Sequence, residues 1–219
     1  SNINISDNGG INTDLTMGQN PSATDGLDPS LGEAELSPLP PSGVFDARFI
    51  LPTQPSVASL KDYRDTTTIK TIDWQLYFQP GSGGYPITVS WDSSKFPSGN
   101  FRLKDVITGS LINIDMKTKS SYEVTNSAIN TLKIEYSNTI SLSIDIASGW
   151  NIISAPVKAA DRSKVGLFNT TNPLYTFNNG YQVVDTLQLG KGYWLKYDSS
   201  KSIQITGMIT DDTTVSINT

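Results

Sequence analysis

The chain has 219 residues, a formal net charge of −5 and 37% apolar residues, and it contains neither cysteine nor histidine. Those two absences exclude disulfides, thiolate chemistry, Ser-His-Asp and Cys-His catalysis, and histidine-ligated metals. The length suffices for one large β domain or two modest ones. No run approaches the roughly 20 apolar residues of a membrane span, so membrane insertion is not expected.

The charge is unevenly placed. Asp7, Asp14, Asp25, Asp28, Glu33, Glu35 and Asp46 all precede the first base, Arg48. Such a front end repels phosphate backbones, so nucleic acid is not an expected partner. It attracts divalent cations or a basic surface instead. The chain starts at Ser1 without a methionine and reads as a mature or excised piece, any export signal being already removed.

The stretch from Thr24 to Phe49 is the first to stand out. Asp25, Asp28, Glu33 and Glu35 lie close together with no base among them, followed by Pro38, Pro40 and Pro41. Ca²⁺ needs six to eight oxygens, and these four carboxylates are candidate ligands, although their spacing fits no EF-hand. Calcium is the one cofactor considered; the competing reading is a solvated acidic loop with local caps. The proline run favours a rigid connector that crosses from one sheet to another, where no ladder hydrogen bond is required.

Strand signals dominate from residue 44. In "VFDARFIL", Phe45, Ala47 and Phe49 share one parity, while Asp46 and Arg48 share the other. "TIKTIDWQLYFQP" places Ile72, Trp74, Leu76 and Phe78 together, and "PITVSWD" does the same for Ile87, Val89 and Trp91. Further short strands follow in "GNFRLKDVITG", "SLINIDM", "SYEV", "TLKIEYS" and "ISLSIDIA", separated by turn signals such as Pro80-Gly81 and Thr108-Gly109. Asp46 and Asp73 are acids on wet strand faces, where pairing with Arg48 or Lys70 is a better reading than a glycosidase pair. No catalytic residues are assigned, and an enzyme is not expected.

A second unit begins near Ser148. "SGWNIISAPV" opens it, and "PLYTFNNGYQVVDTL" reads as a hairpin through Asn178-Asn179-Gly180. One helical turn is expected near Lys164–Phe168, with strands in "LGKGYWLKYD", "KSIQITGMI" and "TTVSINT". The last of these is an apolar terminal strand, an edge able to pair with another chain.

Planar rings stack on the apolar face of a pyranose, so the exposed aromatics are candidate sugar contacts. Trp74 and Trp91 share the apolar parity of their strands and read as core. Trp150 follows a Gly at a strand start and reads as a plug of the second unit. Trp194 shares parity with Lys196, opposite Tyr193, Leu195 and Tyr197, and is the best exposed candidate. Tyr181, after the Asn-Asn-Gly turn, and Tyr85, in the "GSGGYP" loop, come next. Parity alone makes no pair of these rings coplanar on one face.

The segments "GWNIISAPV", "LYTFNNGYQVVDTLQLGKGYWLKYD" and "SIQITGMI" resemble a β module of secreted multidomain proteins of Bacteroidota and their relatives, of the kind found ahead of type IX secretion sorting domains. "ATDGLDPSLGEAELSPLPPSGVFDARF" with "ITVSWDSSKFPSGNFRLKD" resembles the module that commonly precedes it. The resemblance implies export, an extracellular or cell-surface location and neighbouring domains in a longer chain. It brings no catalytic residues.

The expectation is therefore an all-β protein: an antiparallel β-sandwich, jelly-roll or Ig-like, over 1–145, and a smaller all-β module over 146–219. The function expected is a non-catalytic structural or adhesive module of the cell surface, self-associating by strand pairing into oligomers or filaments. The alternative is a carbohydrate-binding accessory module of a secreted polysaccharide-degrading enzyme.

Overall fold

The structure is a computed structural model, and it describes residues 1–65, 67 and 71–208. The chain is almost entirely β and divides into two units, Ser1–Ser137 and Asn138–Thr219. The boundary therefore falls before the strand at 139–146, which belongs to the second unit rather than the first. That strand alternates well enough to fit either unit, and only its partner decides the matter.

In the first unit the strands are β1 (Asn2–Ser6), β2 (Asn12–Gln19), β3 (Asp46–Leu51), β4 (Gln54–Ser59), β5 (Lys61–Arg64), β6 (Thr71–Gln79), β7 (Ile87–Trp91), β8 (Asn100–Asp105), β9 (Asn113–Asp115), β10 (Ser121–Val124) and β11 (Thr131–Ser137). Among the described residues they form two sheets, ordered β10-β7-β1-β2-β5 and β4-β3-β6-β11-β8-β9. Every pairing is antiparallel except β2 with β5. The period-2 patterns supply the core between the sheets: Ile3, Ile5, Leu15, Val89 and Trp91 from one, and Phe49, Trp74, Leu76, Phe78, Leu103 and Ile134 from the other. Each such side chain, fully buried, contributes roughly 1.5–3 kcal/mol. The indole N–H groups are met as well, Trp74 donating to the Asp62 carbonyl at 3.0 Å and Trp91 to that of Met116 at 2.7 Å.

Residues 20–45 join β2 of one sheet to β3 of the other, as the proline run suggests. The Gln79 amide donates to the carbonyls of Pro41 and Val44 at 2.9 and 2.8 Å, which ties down the end of the proline run. Arg48 is buried beneath it, held by Asp46 at 2.6 Å and by the Ser37 carbonyl at 2.9 Å. Its strand parity alone marks it as wet; the connector is what covers it.

The second unit contains β12 (Thr139–Ile146), β13 (Gly149–Ile153), a short helix α1 (Lys164–Phe168), β14 (Leu174–Phe177), β15 (Tyr181–Val184), β16 (Tyr193–Tyr197) and β17 (Lys201–Met208). β12 pairs with β17, and the other four form an antiparallel sheet ordered β13-β16-β14-β15. Ile146, Ile203 and Ile205 share a core with Ile153, Leu174, Tyr193, Leu195 and Tyr197, plus Leu167 and Phe168 of α1. The expected terminal strand "TTVSINT" lies outside the described residues. No helix among the described residues is long and apolar enough to cross a membrane.

Candidate ligand-binding face

The four acidic side chains of the connector have separate partners or none among the described residues. Among the described residues no three acidic side chains converge so as to hold a metal ion. Glu33 turns inward and accepts the backbone N–H groups of Asp28 and Tyr63 at 2.8 and 2.6 Å. Asp28 accepts the backbone N–H and the hydroxyl of Thr24 at 2.7 and 3.0 Å. Asp25 pairs with Arg64 at 3.1 Å, and Glu35 is exposed. Backbone donors take the oxygens of Asp28 and Glu33, and these two residues fasten the connector.

Asp46 and Asp73 also fail as a pair. β3 and β6 are neighbours, but the register sets Asp46 opposite Gln79 and Ile50 opposite Gln75. Six positions then separate the two acids along the ladder, ~20 Å, far beyond a glycosidase pair. Asp73 pairs with Lys133 at 2.7 Å.

Tyr85 is likewise committed elsewhere. It packs on the core of the first unit and donates its hydroxyl to the Ile129 carbonyl at 2.7 Å. Burial pushes its phenol pKa up. It is not an open sugar platform.

Trp194 and Tyr181 are brought together, with company. In an antiparallel sheet, paired residues face the same side. Ile152 pairs with Trp194, Trp194 with Tyr175, and Tyr175 with Val183; Trp150 pairs with Lys196 and Phe177 with Tyr181. All eight side chains therefore project from one face of the sheet. The opposite face carries Ile153, Tyr193, Leu195, Tyr197 and Leu174 into the core.

Trp150 is the correction of most consequence. It is 55% exposed and stands on the outer face rather than plugging the unit. The local cause lies in the Gly-Trp-Asn run. Gly149 takes φ +93°, a conformation that favours glycine, and the Asn151 amide spans the turn. Asn151 donates to the Ala147 and Gly149 carbonyls and accepts the Ala147 N–H, at 2.9, 3.1 and 3.1 Å. With Ile153 held in the core, parity sends Trp150 and Ile152 outward.

Trp150, Tyr175, Tyr181 and Trp194 line an open pocket of about 420 Å³. The Trp150 and Tyr175 rings lie 5.8 Å apart, inclined at 60°. Beside it, a smaller pocket of about 230 Å³ shares Trp150 and Tyr175 and adds Asn172, Pro173, Lys196 and Asp198. Asn172 donates to the Lys196 carbonyl at 2.7 Å, which fixes the loop before β14 against β16. Four rings thus open onto solvent next to one cation, one carboxylate and one amide. Ligand pockets of roughly 300–1,000 Å³ combine apolar walls with a few convergent polar groups in this way.

The chain matches no protein family model, no curated protein and no solved structure.

Tyr175 and Phe177 carry a signal in the sequence. A turn through Asn178-Asn179-Gly180 pairs Phe177 with Tyr181 and Tyr175 with Val183, which puts the rings on one face. The segment "LYTF" does not reveal whether that face is the inner one, because rings ordinarily mark the core.

Proposed function

We propose that this chain is a non-catalytic module of an extracellular or cell-surface protein, and that its second unit holds carbohydrate on the outer face of the four-stranded sheet. The observation that carries the reading is the 420 Å³ pocket walled by Trp150, Tyr175, Tyr181 and Trp194. Large rings in water add nothing to the stability of a β module, whereas a sugar ring stacks its C–H face on them. The polar groups beside the pocket suit hydroxyl recognition. Lack of histidine and cysteine, and the engagement of Glu33 by backbone donors and of Asp73 by Lys133, support binding rather than turnover. The extracellular placement rests on the resemblance described above.

The test is a fluorescence titration of the full chain with soluble polysaccharides. Saturable quenching that falls about tenfold in affinity in Trp194→Ala, with unchanged thermal unfolding, is the expected result. Quenching that is equally strong in Trp194→Ala places the ligand elsewhere and overturns the reading.

A further inference from the structure

We infer that the pocket takes a single, soluble and uncharged glycan chain, in preference to a crystalline polysaccharide or an acidic one; this rests on the carbohydrate reading above. Two features of the site select that class.

The first is ring inclination. A crystalline polysaccharide surface is flat, and only coplanar rings can meet several of its sugars at once. Trp150 and Tyr175, which line both pockets, stand at 60° to each other. These rings form walls, not a plateau. A single chain, whose successive sugars turn relative to one another, can lay one ring on each wall and descend between them. The pocket volume and the shared Trp150–Tyr175 wall leave room for such a chain to continue into the second pocket.

The second is charge. Lys196 and Asp198 line the smaller pocket together, and no ion pair ties up either one among the described residues. An acidic sugar drawn to Lys196 meets repulsion from Asp198 within the same pocket. A hydroxyl both donates and accepts, so a neutral chain satisfies the ammonium and the carboxylate at once. Asn172 adds an amide oxygen and a second N–H, the first N–H being given to the Lys196 carbonyl. The second unit as a whole agrees, since residues 138–219 contain six bases and six acids.

The experiment is native electrophoresis of the full chain through gels containing hydroxyethyl cellulose, xyloglucan or galactomannan as neutral probes, and polygalacturonate as the acidic one. Pull-down on microcrystalline cellulose and on chitin covers the crystalline class. Retardation by at least one neutral soluble polymer, weaker or no response to the others, and an affinity loss of about tenfold in Trp150→Ala are expected. Asp198→Asn removes the repulsion and should raise polygalacturonate affinity, while weakening the neutral ligand through loss of the carboxylate acceptor. Binding only to polygalacturonate or only to the crystalline solids overturns this inference and leaves the carbohydrate reading standing. No binding to any probe overturns both, as does a dimer in light scattering that Trp150→Ala dissociates.

Discussion

Asp62 has no exposed surface, and its carboxylate meets the equally buried Arg64 at 2.6 Å. Burial raises its pKa from 3.8 to about 6, with the Arg64 hydrogen bond offsetting part of the rise. The folded chain therefore holds this proton more firmly than the unfolded chain between about pH 4 and 6. Stability falls as pH rises through that window and levels off above it. Comparing urea unfolding of the parent and Asp62→Asn across pH 4–7 isolates the effect. The parent should lose on the order of 2–3 kcal/mol relative to the variant between pH 4 and 6. A flat difference would show that the charged pair is fully compensated. One oxygen of Asp62 and the Arg64 Nε have no partner among the described residues, which is consistent with that incomplete compensation. Glu33 is the opposite case, a buried carboxylate whose two oxygens each accept a backbone N–H. Glu33→Gln turns a donor toward one of these N–H groups, and should cost roughly 1–3 kcal/mol by denaturant titration. EDTA should leave the parent's Tm unmoved, because these oxygens serve the backbone.

Among the elements, the loop at 81–84 shows how tightly the first unit is joined. Asp7 accepts the N–H groups of Gly9, Ile11 and Gly81, and the Gly83 backbone lies directly against that of Gly9. A Cβ on Gly83 would sit 2.2 Å from the Gly9 nitrogen and 2.5 Å from its Cα. Gly83→Ala should thus destabilise by about 1–3 kcal/mol in urea titration, since backbone, not a flexible side chain, must move. No strand pattern announces this contact; it links positions 74 residues apart. The strands themselves are far more legible. The alternation over 71–79 is enough to bury Ile72, Trp74, Leu76 and Phe78, because only one parity there is apolar. At 149–153 the more apolar parity, Trp150 and Ile152, is the outward one, so alternation misplaces Trp150 until the Asn151 clasp and the core position of Ile153 are known. The acidic stretch is illegible for a different reason. A carboxylate looks the same in sequence whether water, a cation or a backbone N–H satisfies it.

Across the whole molecule, the two units have separate cores and divide the tryptophans between them. Trp74 and Trp91 are buried in the first; Trp150 is exposed and Trp194 half-buried in the second. Residues 1–137 and 138–219, expressed separately, should each unfold cooperatively. The first should emit at short wavelength with little acrylamide quenching, and the second at longer wavelength with strong quenching. A second segment that aggregates or shows no cooperative transition would mean that its core does not suffice alone. The charge is divided as well: residues 1–137 carry ten bases against fifteen acids, and the remainder is neutral.

The four-stranded sheet of the second unit commits only one of its faces to folding. Trp150, Ile152, Tyr175, Tyr181, Val183 and Trp194 are not needed to fill the core, so each can be exchanged without repacking anything beneath it. Such a face is free to diversify. Related modules sharing the Gly-Trp-Asn clasp and the Tyr193/Leu195/Tyr197 underside should differ most at these outward positions, changing specificity by single substitutions while the scaffold is inherited intact.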